Sequence, residues 1–160
     1  MEPRITSPAL SLPGALEALQ TFSKAVDKAA HEAGVPATTL DLIDLRASQI
    51  NGCAVCLDMH SRAGKKHGLT DAQLATVAGW RDAPYFDEAE RAVLALTEAG
   101  TRIADNGDAV SDDVYRAAEK HFDEPAMAAI VARIAAINMW NRLNVITGQV
   151  AGEWTAQWAS

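Results

Sequence analysis

The sequence is poor in aromatic residues, in basic side chains and in cysteine, and it has no long apolar run. Each shortage excludes something. Aromatics make up 6% of the chain while alanine is abundant, a balance that favours closely packed helices over sheets. Fourteen Lys and Arg face twenty-one Asp and Glu, a formal net charge of −7, which excludes a broad surface for nucleic acid or an anionic membrane. No apolar stretch approaches the roughly 18 residues of a membrane span. Residues Met1 to Leu12 lack the charged-then-apolar pattern of a signal peptide, so the expected location is the cytoplasm. Two cysteines close together in such a chain point to redox or metal chemistry rather than to a structural staple.

What is present reads as helix. With 160 residues, about half of them apolar, the chain has the size of one domain spanning 1–160. Residues 1–12 read as an irregular arm. From Pro13 to Ala33, Leu16, Leu19, Phe22, Val26 and Ala30 recur at helical spacing, and Gly34 and Pro36 stop the run. A second helix is expected from Thr38 or Thr39, with Thr38 and Asp41 as a capping box, carrying Leu42, Leu45 and Ile50 inward. Asn51-Gly52 breaks it. A third runs from about Cys53 to His67 and closes on Gly68. Thr70 with Gln73 and Asp87 with Glu90 cap a fourth helix, ending near Trp80, and a fifth, reaching about Ala104. Ser111 caps a sixth. Pro125 opens a seventh that carries Met127, Ile130, Val131, Ile134 and Ile137 to Gly148. No period-two pattern, repeat or domain-scale linker interrupts this. The expectation is an all-α, single-domain bundle of about seven helices.

The chemistry concentrates in residues 41–60. Cys53 and Cys56, three positions apart on a helical turn, can reach disulfide distance. Asn51-Gly52 places them at a helix N-terminus, where unsatisfied N–H groups and the dipole favour thiolate. His60 follows Cys56 by one turn on the same face and can take its proton directly or through one water. A carboxylate from the preceding helix, Asp41 or Asp44, could orient the imidazole. Two effects compete over which cysteine reacts: the helix end favours Cys53, while His60 lies one turn from Cys56 and two turns, about 10 Å of rise, from Cys53. Proximity of the base selects Cys56.

The run Leu45-Arg-Ala-Ser-Gln-Ile-Asn-Gly-Cys53-Ala-Val-Cys56-Leu-Asp-Met-His60 resembles the signature of AhpD-like alkylhydroperoxidases in the carboxymuconolactone decarboxylase superfamily. The resemblance continues through Trp80–Phe86, Glu90-Arg91-Ala92 and Ile137–Leu143. It implies an all-α fold and assembly as a homotrimer or homohexamer. It also implies thiol-dependent reduction of a hydroperoxide, with Cys56 peroxidatic and Cys53 resolving, and no bound cofactor. The reductant implied is a dithiol protein or a small thiol. The family pattern has a glutamate twelve residues before the first cysteine; Asp41 stands there, shorter by one methylene. Val55 cannot relay protons, as a Tyr or His between the cysteines could. The decarboxylase branch generally lacks the cysteine pair.

Plainer readings exist for each residue. The cysteines could be buried small apolar groups, His60 a satisfied core histidine and Asp41 a helix cap. Asp44 and Asp58 read as solvated surface, Ser48 as packing and His67 as a partner of the helix dipole. His31 and His121 read as surface, and Trp154 and Trp158 as packing between subunits. Two functional alternatives remain. One is a structural metal site built from Cys53, Cys56, His60 and His67, against which stands their placement on one helix. The other is a non-catalytic adaptor that passes a disulfide to a partner.

Overall fold

A computed structural model describes residues 1–104, 106–152 and 155. In chain order the helices are α1 (Pro8–Ser11), α2 (Ala15–Glu32), α3 (Ala37–Asn51), α4 (Ala54–His67), α5 (Asp71–Thr76), α6 (Glu88–Thr101), α7 (Asp112–Glu119) and α8 (Glu124–Thr147). A 3-10 turn at Val77–Gly79 follows α5, and no strand occurs among the described residues. The fold is the all-α bundle expected, with eight helices among the described residues instead of about seven. The additional one is α1, a single turn inside the arm expected to be irregular. That arm is docked: the Arg4 backbone N–H donates to the Thr147 carbonyl at 2.8 Å, and its guanidinium donates to the Ile146 carbonyl at 2.8 Å. Both carbonyls belong to the last turn of α8, where no intrahelical donor remains to satisfy them.

Local chemistry sets most helix ends. Thr70 and Gln73 form a reciprocal capping box, as do Asp87 and Glu90. Ser111 accepts from the Val114 N–H, and Asp123 caps the Pro125-containing start of α8. The fifth expected helix, α6, stops at Thr101, short of Ala104. The Thr38–Asp41 box does not form: Pro36 takes the N-cap position, α3 begins at Ala37, and Asp41 turns into the protein.

Helix α3 is the centre of the bundle. Ile43 and Ala47 pack with Val93 and Leu96 of α6 and with Ile130, Ile134 and Ile137 of α8. Leu42 and Leu45 pack on the other side with Leu69, Val77, Trp80, Phe86 and Leu94. A helix enclosed in this way buries its polar residues along with its apolar ones. Asp41, Asp44 and Ser48 are 3%, 0% and 0% exposed. Asp44 is therefore an interior residue and not solvated surface. Two members of the apolar helical runs face out, Phe22 at 43% and Val131 at 46% exposure. Trp154 and Trp158 lie outside the described residues.

Beyond α5, two charged groups hold the connector from Trp80 to Phe86. The Arg91 guanidinium donates to the carbonyls of Phe86, Trp80, Arg81 and Ala83. Glu98 accepts from Arg46, the Trp80 indole and Arg81 at 2.7, 2.9 and 2.9 Å. Burial pushes the Glu98 carboxyl up, but these donors together outweigh it and bring its pKa down to about 2.

Candidate active site

The site sits on the hairpin formed by α3 and α4. Gly52 closes α3 with φ +69°, a left-handed conformation in which glycine carries no Cβ penalty. The Cys53 N–H then returns to the Ser48 carbonyl at 3.0 Å. The two helices run back along each other, so residues equally far from Gly52 face one another. Asp44 and His60 lie eight residues to either side of it. Gly64 allows the close approach: a Cβ there would meet Leu69 Cδ1 at 2.8 Å and Asp41 Cβ at 3.4 Å.

Asn51 anchors the turn from the far side. Its amide donates to Asn138 Oδ1 at 2.9 Å and to Asn141 Oδ1 at 2.8 Å, both on α8. Asn141 in turn donates to Ser48 Oγ at 3.0 Å, and Asn138 to Thr101 Oγ1 at 3.1 Å. Ser48, read from sequence as packing, thus belongs to a buried polar network that fixes the residue before Gly52-Cys53.

Cys53 and Cys56 are joined as a disulfide, with their Cα atoms 5.4 Å apart, and both are 1% exposed. Cys53 is the N-cap of α4; its sulfur accepts from the Cys56 N–H at 3.3 Å. The Cys56 sulfur accepts from the side-chain amide of Asn144 at 3.4 Å. Asn144 lies eighty-eight residues further along the chain, and nothing in the local sequence pattern marks it.

His60 stands one turn beyond Cys56, and its Nδ1 lies 3.2 Å from Asp44 Oδ2. Asp44 is gripped from the opposite side by Arg133 of α8. The guanidinium Nε lies 2.9 and 3.0 Å from the two carboxylate oxygens, and Nη2 also donates to Oδ2. Arg133 reaches on to Asp27 of α2 at 2.5 Å. Burial holds the His60 imidazole below its ordinary pKa; Asp44 pulls it back up and Arg133 adds to the lowering. The ring is therefore neutral at neutral pH. With Nδ1 turned to a carboxylate, the tautomer favoured leaves Nε2 as the basic nitrogen.

Asp41 lies in the same group, within 4.8 Å of Asp44 and His60 by ligand atoms. Its hydrogen bond, however, goes to His67 Nδ1 at 2.7 Å. Burial pushes the Asp41 carboxyl up to about 6, against the lowering effect of His67. His67 is thus more than a partner of the helix dipole. The position corresponding to the family glutamate faces His67, and the carboxylate nearest His60 Nδ1 is Asp44. The gathered metal-capable group also differs from the set considered above: Asp41, Asp44 and His60 converge, whereas Cys53 and Cys56 bond to each other. Asp44 in that group is already occupied by Arg133. Asp58, expected at the surface, bonds Arg62 at 3.0 Å and accepts from Thr155 Oγ1.

Residues 13–99 match the profile of the carboxymuconolactone decarboxylase family. An uncharacterized Bacillus subtilis protein, YdfG, is 33% identical over 126 residues, 79% of this chain and 84% of YdfG. The alkyl hydroperoxide reductase AhpD of Maricaulis maris is 44% identical over 41 residues, a quarter of either chain. Among solved structures, an Agrobacterium tumefaciens protein of unknown function, described as a candidate AhpD antioxidant-defence protein, superposes with a TM-score of 0.84 at 34% identity. The match covers 94% of this chain and 99% of that one. The debrominase Bmp8 has the same fold, with a TM-score of 0.76 at 20% identity over 92% of this chain and 78% of its own.

Proposed function

Because this chain belongs to the carboxymuconolactone decarboxylase family and carries a cysteine pair beside a carboxylate-oriented histidine, we propose that it is a thiol-dependent hydroperoxide reductase. The observation that carries this reading is the alignment on one helix of the Cys53–Cys56 disulfide and His60, with Asp44 behind His60 Nδ1. Neutral His60 takes the proton of the reduced Cys56 thiol. The thiolate attacks the distal oxygen of a hydroperoxide and the O–O bond breaks. Cys56 becomes sulfenic acid, and the leaving alkoxide recovers the proton as an alcohol. The Cys53 thiol then condenses with the sulfenic acid, forming the disulfide and releasing water. An external dithiol reduces the disulfide by exchange and leaves as its own disulfide. The balance is one hydroperoxide and one dithiol converted to one alcohol, one water and one disulfide.

Asp44, fixed by Arg133, is the positioning carboxylate in this reading, and Asp41 acts through His67 and its charge at the edge of the group. A partner dithiol protein or a small thiol serves as reductant, and the chain works as a homo-oligomer. The test is hydroperoxide consumption by the reduced protein with several dithiol donors, wild type against Cys53→Ser and Cys56→Ser. Mass spectrometry after one equivalent of peroxide should find sulfenic acid on Cys56 in Cys53→Ser. Cys53 should remain largely unoxidised in Cys56→Ser. No peroxide consumption by the reduced wild type would overturn the reading; rapid sulfenic acid on Cys53 would reverse the two roles.

A further inference from the structure

The two sulfurs of the pair receive donors of different kinds. Cys53, at the head of α4, has the backbone N–H of Cys56 and the positive end of the helix. By that measure alone the thiolate would settle on Cys53. Cys56 has a donor from another element, the amide of Asn144 on α8. That amide's hydrogen bond among the described residues goes to the Cys56 sulfur, and the residue lies in the last turn of α8, next to the outward-facing Val145 and Ile146.

We propose that Asn144 is a catalytic residue of the reaction proposed above: its amide holds the thiolate on Cys56 rather than on Cys53. The inference rests on the thiol-peroxidase reading for its purpose, but not for its test. A disulfide sulfur is a weak acceptor. When the pair is reduced, the same amide meets a charged sulfur, and a hydrogen bond to an ion is about twice as strong as one between neutral groups. Asn144 therefore contributes most in the state that attacks peroxide. It can also donate to the developing sulfenate once Cys56 carries oxygen.

The other charged and titratable groups facing this end of the hairpin are His60 on α4, Asp41 and Asp44 on α3 and Arg133 on α8, and they stay constant in every comparison. The experiment is the pH dependence of iodoacetamide alkylation in single-cysteine proteins. In the Cys53→Ser protein, Asn144→Ala should move the Cys56 midpoint up by about one pH unit, a tenfold loss of thiolate below the midpoint. In the Cys56→Ser protein, the same change should leave the Cys53 midpoint where it was. Asn144→Asp, nearly isosteric, should raise the Cys56 midpoint further by placing a carboxylate against the sulfur, and it tests the idea even if the alanine variant folds poorly. An unmoved Cys56 midpoint in both variants overturns the proposal, and so do equal shifts of Cys53 and Cys56. If the midpoint moves as expected but the wild type consumes no hydroperoxide, the peroxidase reading fails and the role of Asn144 in thiolate placement stands.

Discussion

Removing the charge of Asp44 should be among the most damaging single changes in the protein, and the reason lies in Arg133. The Arg133 side chain is 15% exposed, and Asp44, fully buried, is bound to it through both oxygens. Asp44→Asn keeps the shape of the side chain and leaves a buried cation with the half-exposed Asp27 as its remaining partner. Breaking one side of a buried pair costs about 3–5 kcal/mol, mainly from the uncompensated charge. With a urea slope of about 2 kcal/mol per molar, the midpoint of unfolding should fall by about 1.5–2.5 M. Asp27→Asn touches the same arginine from the solvent side, where an ion pair contributes up to about 1 kcal/mol, so its midpoint should fall by no more than about 0.5 M. The assay is urea unfolding followed by far-ultraviolet circular dichroism at pH 7. The reasoning also predicts that adding Arg133→Met to Asp44→Asn recovers part of the loss, since the stranded charge disappears. Equal midpoints for Asp44→Asn and Asp27→Asn, or a double variant weaker than Asp44→Asn alone, would show that the buried pair is not what holds α3 to α8.

His60→Ala should lower hydroperoxide turnover on the order of 10²–10⁴-fold with the fold intact, and Asp41→Asn should lower it less; equal losses in steady-state assays would contradict the ranking. Two carboxylates should give opposite stability trends with pH in urea titrations. Glu98, with its pKa lowered to about 2, contributes stability above its unfolded value of about 4.5 that is lost as pH falls toward 2, so Glu98→Gln should destabilise strongly at pH 7 and little at pH 2. Asp41, raised to about 6, takes up protons in the folded state, so its contribution declines between about pH 4 and 6, and Asp41→Asn should flatten that decline. Light scattering at micromolar concentration should report a homotrimer or homohexamer, with the exposed Phe22, Val131, Val145 and Ile146 as apolar area available for burial; a monomer peak would contradict it.

The residues gathered at the candidate site on α4 were legible because their signals are local. The Cys53–Cys56 spacing, the Asn51-Gly52 break before it and His60 one turn later all act within two helical turns. The capping boxes at Thr70 and Asp87 likewise depend on residues three apart, and they form as their spacing suggested. Thr38 and Asp41 have the same spacing and do not cap, because Asp41 is turned inward and its carboxylate meets His67, twenty-six residues away. Asp44 read as surface because a charged residue usually is; its place in the middle of α3 becomes interior once α4, α6 and α8 enclose that helix. One sequence signal could have found it: counted outward from Gly52, Asp44 and His60 are level on an antiparallel hairpin.

By itself, then, the sequence determined the helical class, most helix ends, and the placing of a cysteine pair one turn before a histidine, since these follow from periodicity, capping and spacing along one chain segment. Tertiary structure alone decided which carboxylate lies against the histidine and which side-chain amide reaches the Cys56 sulfur. Arg133 reaches Asp44 across eighty-nine residues and Asn144 reaches Cys56 across eighty-eight. Contacts of that separation arise from how α8 packs against the α3–α4 hairpin, and no residue near Asp44 or Cys56 in the chain records that packing.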